Sequence, residues 1–266
     1  MANPPEHNAE TQKAQVQAQF ARTAESYVTS ITHKTGSDLE RLVAVGEWDA
    51  RQHALDVATG GGHTAFTIAP YVGQVMVTDL TPTMLQSAQT YLLAQGIKNA
   101  QFQIADAEAL PFADASFDRV TNRIASHHFP NAAQSVQEAA RVLKPEGIFI
   151  LIDSTVPEDA ELDPIVNKIE KWRDHSHGRS HTPTEWKTFF REAGLQVELE
   201  EPFRRIMHYD DWSARSQMTN EEKAALEEYI LTLPTEIQNY LEVHTTEDGH
   251  LKDFSIDFTL FKTRKR

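Results

Sequence analysis

Three acids, three glycines and two histidines carry the chemistry this chain could perform. Asp56 is set into the apolar run 54–58, and Gly60, Gly61 and Gly62 follow it. Asp79 ends a second apolar run, 74–78, and Asp106 ends a third, 102–105. Glycine lets the backbone turn sharply and brings its N–H groups close to a ligand. A carboxylate at a strand tip can accept from both hydroxyls of a ribose. His127 and His128 follow a fourth run, 117–122. They are the candidate catalytic bases, because an imidazole can take a proton near neutral pH.

These residues need elements to hold them together. Residues 54–58 and 74–78 read as buried strands, and 63–69 between them as a helix stopped by Pro70. Thr81 and Pro82 open a helix whose buried face is Met84, Leu85, Ala88, Tyr91 and Leu92, closed by Gly96. Strands follow at 102–105, 117–122 and 148–152. Asn131-x-x-Gln134 caps the helix before the last of these, and Lys144-Pro-Glu-Gly147 turns into it. Strand and helix thus alternate five times, which predicts a doubly wound parallel sheet. Right-handed crossovers place all five strand C-termini on one edge, where such sheets bind ligands. Asp56, Asp79, Asp106 and the residues after Asn122 are expected to meet there.

Outside this region the signals thin. Val16, Phe20, Ala24, Tyr27, Val28 and Ile31 make a helical stripe, read as a packed helix or as a lid. Ser37-x-x-Glu40 reads as a capping box. Helices are expected from Asp163 and, capped by Thr182-Pro183-x-Glu185, over the segment containing Trp186, Phe189 and Phe190. Residues 195–200 predict a sixth strand and 254–262 an antiparallel seventh. The expected division is an N-terminal helical cap (1–47), a ligand-binding α/β domain (48–201), a helical insertion (202–251) and a last strand (252–266). The insertion reads either as a lid over a substrate or as a packing or homodimer element.

Gly60-x-Gly62-x-x-Ala65 fits a dinucleotide fingerprint, with Asp79 seventeen residues past Gly62. Asp56-x-Ala58-x-Gly60-x-Gly62 also resembles motif I of class I S-adenosylmethionine (SAM) methyltransferases, with Ala58 in place of a glycine. Further matches favour the second reading. Asp106-Ala107-Glu108 with Leu110-Pro111-Phe112, then Phe117-Asp118, then Arg141-Val-Leu-Lys-Pro-x-Gly147 stand in order. Together they resemble the UbiE/YcgJ-type, or type 11, methyltransferases over residues 50–153, and the stretch 123–128 with His127-His128-Phe129 resembles the YcgJ branch.

The resemblance implies a Rossmann-like, mostly parallel seven-stranded sheet with an antiparallel last strand, the class I methyltransferase fold. It implies S-adenosyl-L-methionine as donor, S-adenosyl-L-homocysteine as product and a small-molecule acceptor. The implied donor-binding residues are Tyr27, Asp56, the turn Ala58, Thr59, Gly60 and Gly62, then Asp79, Leu80, Met84, Asp106, Ala107, Glu108, Asn122, Arg123 and Ile124. Asp79 would take the ribose and Asp106 the adenine amine. Asp56 would hold the turn near the methionyl end. His128, with His127 beside it, is the implied base if the acceptor must lose a proton. Arg119 and Arg141 are expected to face solvent.

Composition narrows the alternatives. The 266 residues carry a net charge of −14 and no cysteine. A nucleic-acid partner lacks a general electrostatic pull, and disulfides and thiolate chemistry are excluded. No run reaches the ~18 apolar residues of a membrane span, and residues 1–19 lack a signal-peptide core, so a cytoplasmic location is expected. His175, His177 and His181 are spaced like metal ligands, but a solvated or substrate-side loop is the preferred reading and no metal is expected. Two other functions stay open: an NAD-dependent oxidoreductase, against which no Tyr-x-x-x-Lys set is visible, and a non-catalytic SAM-binding protein.

Overall fold

The computed structural model describes the backbone of residues 7–29 and 36–266, with the side chains of 9–22 and 36–266. Among the described residues eight strands form one sheet: β1 (His53–Val57), β2 (Gln74–Asp79), β3 (Ala100–Ile104), β4 (Phe117–Arg123), β5 (Leu143–Ser154), β6 (Leu195–His208), β7 (His244–Thr245) and β8 (Leu251–Lys265). Their order is β3-β2-β1-β4-β5-β8-β6, and the short β7 pairs with β8. The first five strands are parallel, and β8 lies antiparallel between β5 and β6. The fold class is therefore the one expected, with β7 added.

The central strands are apolar on both faces because helices cover both. Leu55, Val57, Phe149 and Leu151 join one core with the helices Ala132–Val142 and Pro183–Glu192. Their neighbours Ala54, Ile148, Ile150 and Ile152 join the other, with Ser37–Val45, His63–Ile68 and Pro82–Ala94. This two-sided burial is why the strands read as continuous rather than alternating runs. The chain winds outward through β3 and then returns beside β1 as β4. The switch point of the sheet is thus the β1/β4 boundary, where a ligand crevice opens.

Strand β6 runs to His208, past the expected end near residue 200. Pro202 lies inside it, opposite Thr259. A proline reads as a breaker, but β6 is an edge strand, where a missing N–H costs no ladder bond. The long β6–β8 hairpin carries a third core. Met207, Phe254, Ile256 and Phe258 pack there with Trp212, Leu226 and Ile230 from the helices Tyr209–Arg215 and Asn220–Leu231. Thr235–Tyr240 completes the helical segment before β8.

Two local expectations fail and a third holds only in part. Ser37-x-x-Glu40 forms no capping box; Gly36 is the N-cap, without a side-chain bond. Arg119 is buried rather than solvent-facing, and its guanidinium donates to the carbonyls of Gly46 (2.7 Å), Asp118 (2.8 Å) and Glu47. It satisfies the C-terminal end of the helix Ser37–Val45, where cations are favoured. Arg141 is only partly exposed, and its guanidinium donates to the carbonyls of Phe112 (2.7 Å) and Leu110 (2.9 Å). The Thr182–Glu185 capping box and the Asn131 cap are present.

The helix α1 (His7–Thr29) lies along Pro82–Ala94. Among the described residues no helix is long and apolar enough to cross a membrane.

Candidate functional site

A cavity opens at the C-terminal ends of β1, β2 and β4, at the switch point, and the segment after β3 borders it. Its floor is the turn after β1. Asp56 Oδ2 accepts the Thr59 hydroxyl at 2.6 Å, and Oδ1 accepts that of Thr121 at 2.7 Å. Asp56 is 1 % exposed and does not line the cavity. It holds the turn from behind, so its expected place beside the ligand is not occupied by its side chain. Burial pushes its carboxyl up to about 6 despite the two hydroxyl donors.

The turn itself needs left-handed backbone. Ala58, Gly60 and Gly62 have φ of +52°, +56° and +84°. Ala58 occupies a conformation costing a non-glycine residue about 1–2 kcal/mol. Gly60 lines the cavity, and an added Cβ would meet only Met84, at 3.6 Å. Gly62 faces away; its Cβ would lie 2.6 Å from Leu92. Gly60 therefore serves the cavity, and Gly62 serves packing of the helix Pro82–Ala94 against the turn. Ile124, at the tip of β4, also has positive φ, +55°, and lines the cavity. Strained positions at two adjacent strand tips mark a site the surrounding fold holds in place.

Asp79 stands beside the turn. Its Oδ2 accepts Gly60 N–H at 3.0 Å and its Oδ1 accepts Thr81 N–H at 2.8 Å. Burial pushes this carboxyl up to about 6, against those two donors. Leu80, Met84, Ala107 and Glu108 line the cavity beside it, as do Ala58 and Thr59. Asp106 lines it too, and Lys13 Nζ lies 2.6 Å from Asp106 and 2.6 Å from Glu108. The residues expected to serve a ribose and an adenine amine therefore border one cavity, and a lysine of α1 pairs with the two acids there. α1 is fastened at other points: Gln17 donates to Leu80 O at 3.0 Å, and Gln12 to Ser176 O at 2.8 Å. Val16 and Phe20 complete its cavity face. Tyr27 lies outside the described side chains.

On the far side the wall changes character. Arg123 lines the cavity, and its Nε donates to Asp38 Oδ2 at 2.5 Å. Arg205 reaches the other oxygen of Asp38 at 2.6 Å. Burial would raise the Asp38 carboxyl, but the two guanidiniums hold it below the usual range. Asn122 does not line the cavity; its amide donates to Val57 O at 3.0 Å, and its carbonyl accepts Ser126 Oγ at 2.7 Å. The N–H of Ile124 is used in the sheet, donating to Ile152 O at 2.7 Å. Met207, Trp212 and Phe258, from the β6–β8 hairpin and its helices, close this half.

His127 and His128 both line it, with ring centroids 4.2 Å apart. His127 Nδ1 donates to Asp153 Oδ1 at 2.6 Å. Burial alone would lower His127, but Asp153 outweighs it and the imidazole is raised. His128 Nδ1 donates to Ser176 O at 3.1 Å, and Phe20 meets its ring edge-on. Burial, with His127 alongside, pushes His128 down to about 4. His177 stacks on His127 at 5.4 Å and is 1 % exposed. The loop read as solvated or substrate-side is divided: Ser176 and His177 are buried beside the histidine pair, while His175 and Gly178 are exposed. Among the described residues no group of three or more His, Asp or Glu is placed to hold a metal ion.

Sequence reading missed Lys13, Asp38, Asp153 and Arg205. The first two declare no partner locally, and their partners lie 85 to 167 residues away. His63, which lines the cavity against Tyr91, was read only as the start of a helix.

Comparison with known proteins bears on this site. The family profile described as a methyltransferase domain matches residues 55–151. The uncharacterized methyltransferase YcgJ of Bacillus subtilis is 32% identical over 247 residues, covering 93% of this chain and 98% of YcgJ. Its crystal structure covers 86% of this chain and 98% of its own, with 31% identity and a TM-score of 0.82. A crystal structure from Bacillus halodurans, of a protein assigned as a methyltransferase, gives 39% identity and a TM-score of 0.84 over 86% of this chain and 99% of its own. The ubiquinone/menaquinone biosynthesis C-methyltransferase UbiE of Coxiella burnetii is 36% identical over 118 residues, 43% of this chain and 47% of UbiE.

Proposed function

The chain belongs to the methyltransferase family that contains YcgJ, and on that footing we propose that it transfers a methyl group from S-adenosyl-L-methionine to a small-molecule acceptor. One observation carries the reading. Gly60, Asp79, the Asp106–Glu108 pair and Ile124 come from four separate chain segments and border one cavity. This set suits an adenosyl group: glycine turn, ribose acid and amine acceptors in one wall. Its elements are those of a nucleotide crevice at a sheet's switch point. The donor supplies a methyl group already activated by a sulfonium.

The protein's share is then chiefly positioning, which can be worth ~7–11 kcal/mol. Asp79, the Gly60 turn and the acids at residues 106 and 108 hold the adenosyl half. Asp56 fixes the turn, and Arg123 and Ile124 border the methionyl end. Helix α1 bridges the mouth and keeps water from the donor, while Met207, Trp212 and Phe258 offer an apolar face to the acceptor. His127 and His128 stand on the acceptor side as candidate bases.

Methyl-labelled SAM incubated with a small-molecule metabolite extract tests the proposal. Labelled small-molecule product is the expected result. Binding of S-adenosylhomocysteine with no labelled product would make the protein a SAM-binding protein without transfer. Binding of NADH in its place would point to an oxidoreductase.

A further inference from the structure

His127, His128 and Asp153 are held differently. Asp153 stands near the end of β5, 1 % exposed, and does not line the cavity. Its Oδ2 accepts the backbone N–H of His127 at 2.9 Å, and its Oδ1 accepts the N–H of Ser154 at 2.8 Å. Oδ1 also takes the Nδ1 proton of His127 at 2.6 Å. A carboxylate fixed at both oxygens can receive the imidazole in only one orientation. That fixes the ring as the Nδ1–H tautomer, with Nε2 as its open lone pair. No hydrogen bond engages Nε2 among the described residues, and the side chain, 7 % exposed, lines the cavity. His128 has only a carbonyl and the Ser176 hydroxyl behind it.

We propose that His127 is the general base of this site and Asp153 its positioning residue, so that the acceptor is a hydroxyl compound, phenol or alcohol, rather than a thioether or tertiary amine. The inference rests on the methyl-transfer reading and names its acceptor class. In the step, the acceptor oxygen forms the new bond to the methyl carbon. The electron pair of the broken carbon–sulfur bond stays on the donor sulfur. The hydroxyl proton passes to Nε2 of His127 and later to solvent. The positive charge lost at sulfur reappears on the imidazolium, next to Asp153, so the net charge of the site does not change. An aspartate behind a histidine base acts in this way, by holding the tautomer and stabilising the imidazolium.

The groups facing the His127 ring come from three elements besides its own turn. They are Asp153 from β5, Glu170 and Arg173 from the helix Leu162–Arg173, and His177 from the loop after it; His128 is its chain neighbour. Asp153 dominates among the charged ones and outweighs burial, so His127 is raised, while burial and the neighbouring histidines lower His128 and His177.

Long-range proton–nitrogen NMR on the 15N-labelled full-length protein with S-adenosylhomocysteine tests the pair without needing an acceptor. The signal is assigned by its loss in His127→Gln. His127 is expected as the Nδ1–H tautomer, titrating above an ordinary histidine, and Asp153→Asn should lower that titration. An Nε2–H tautomer, or a titration that Asp153→Asn leaves in place, would overturn the assignment. If Asp153→Asn does not fold, the wild-type tautomer and its titration decide. With methyl-labelled SAM and a metabolite extract, label is expected in an O-methyl product. The rate should rise with pH through the His127 titration, shift with it in Asp153→Asn, and fall roughly 10²–10⁴-fold in His127→Gln. Label only in C-, N- or S-methyl product, or a His127→Gln rate equal to wild type, overturns the proposal, whereas S-adenosylhomocysteine binding with no labelled product at all removes the methyl-transfer reading on which it rests. Failure of wild type to bind S-adenosylhomocysteine would likewise remove the methyl-transfer reading, leaving the NMR result to speak for the pair.

Discussion

Lys13 on the first helix lies 2.6 Å from Asp106 in the segment after β3, 93 residues away. The same ammonium lies 2.6 Å from Glu108. One cation thereby ties the N-terminal helix across the end of the cavity where an adenine amine would bind. Both partners are about a quarter exposed, so the pair is partly screened and holds the helix only modestly. Lys13→Ala should speed S-adenosylhomocysteine dissociation roughly 2–5-fold at low salt. High salt should speed wild type toward the variant and affect the variant less. Stopped-flow dissociation measures this, and equal low-salt rates would show that the helix is not fastened by Lys13.

Asp79 sets a pH dependence. Its carboxyl is pushed up to about 6, and only the ionised form would accept from both hydroxyls of a bound ribose. Affinity for S-adenosylhomocysteine should therefore fall as pH drops below about 6. Folding runs the other way. Because the folded carboxyl holds its proton more tightly than the unfolded one, stability falls as pH rises from about 4 to about 6. Asp79→Asn removes that share, a difference on the order of 1–3 kcal/mol. Urea unfolding of the ligand-free protein at pH 4.5 and 7 checks it. Parallel pH slopes for the two proteins would contradict it.

Asp38 is the shared anion of two buried guanidiniums, Arg123 and Arg205. It joins the helix Ser37–Val45 to the tip of β4 and to the far half of β6. Removing it leaves both cations buried without their carboxylate, which costs about 3–5 kcal/mol. Asp38→Ala should lower the urea midpoint accordingly, and a loss below about 1 kcal/mol would mean that solvent reaches the pair readily.

Ala58 sits in left-handed backbone where a glycine rests without strain. Ala58→Gly should stabilise the protein by about 1 kcal/mol, seen as a higher thermal midpoint. An unchanged or lower midpoint would show that the neighbouring hydrogen bonds already remove the strain.

The donor half of the site was legible in the sequence because its signals are local. Gly60 and Gly62 demand a turn, and Asp79 and Asp106 end apolar runs that must be buried strands. Alternation then fixes which edge they share. Lys13, Asp38 and Asp153 were not legible, since a charged residue declares no partner until the fold supplies one across tens of residues. Asp56 was read as a ligand neighbour because the motif does not say on which side of the turn a carboxylate lies. Thr59 and Thr121 draw it behind the turn. Pro202 hid the outer half of β6, because a breaker in sequence is harmless on a sheet edge. Arg119 looked like a surface cation until the end of the helix Ser37–Val45 offered it carbonyls.

The most direct measurement is a calorimetric titration of the wild-type protein and Asp79→Ala with S-adenosylhomocysteine, and of wild type with NADH. Wild type should bind S-adenosylhomocysteine at one site, Asp79→Ala at least ~10-fold more weakly through lost charged hydrogen bonds, and NADH should give no binding heat. NADH binding, or an S-adenosylhomocysteine affinity untouched by Asp79→Ala, would contradict an adenosyl pocket built on the strand tips.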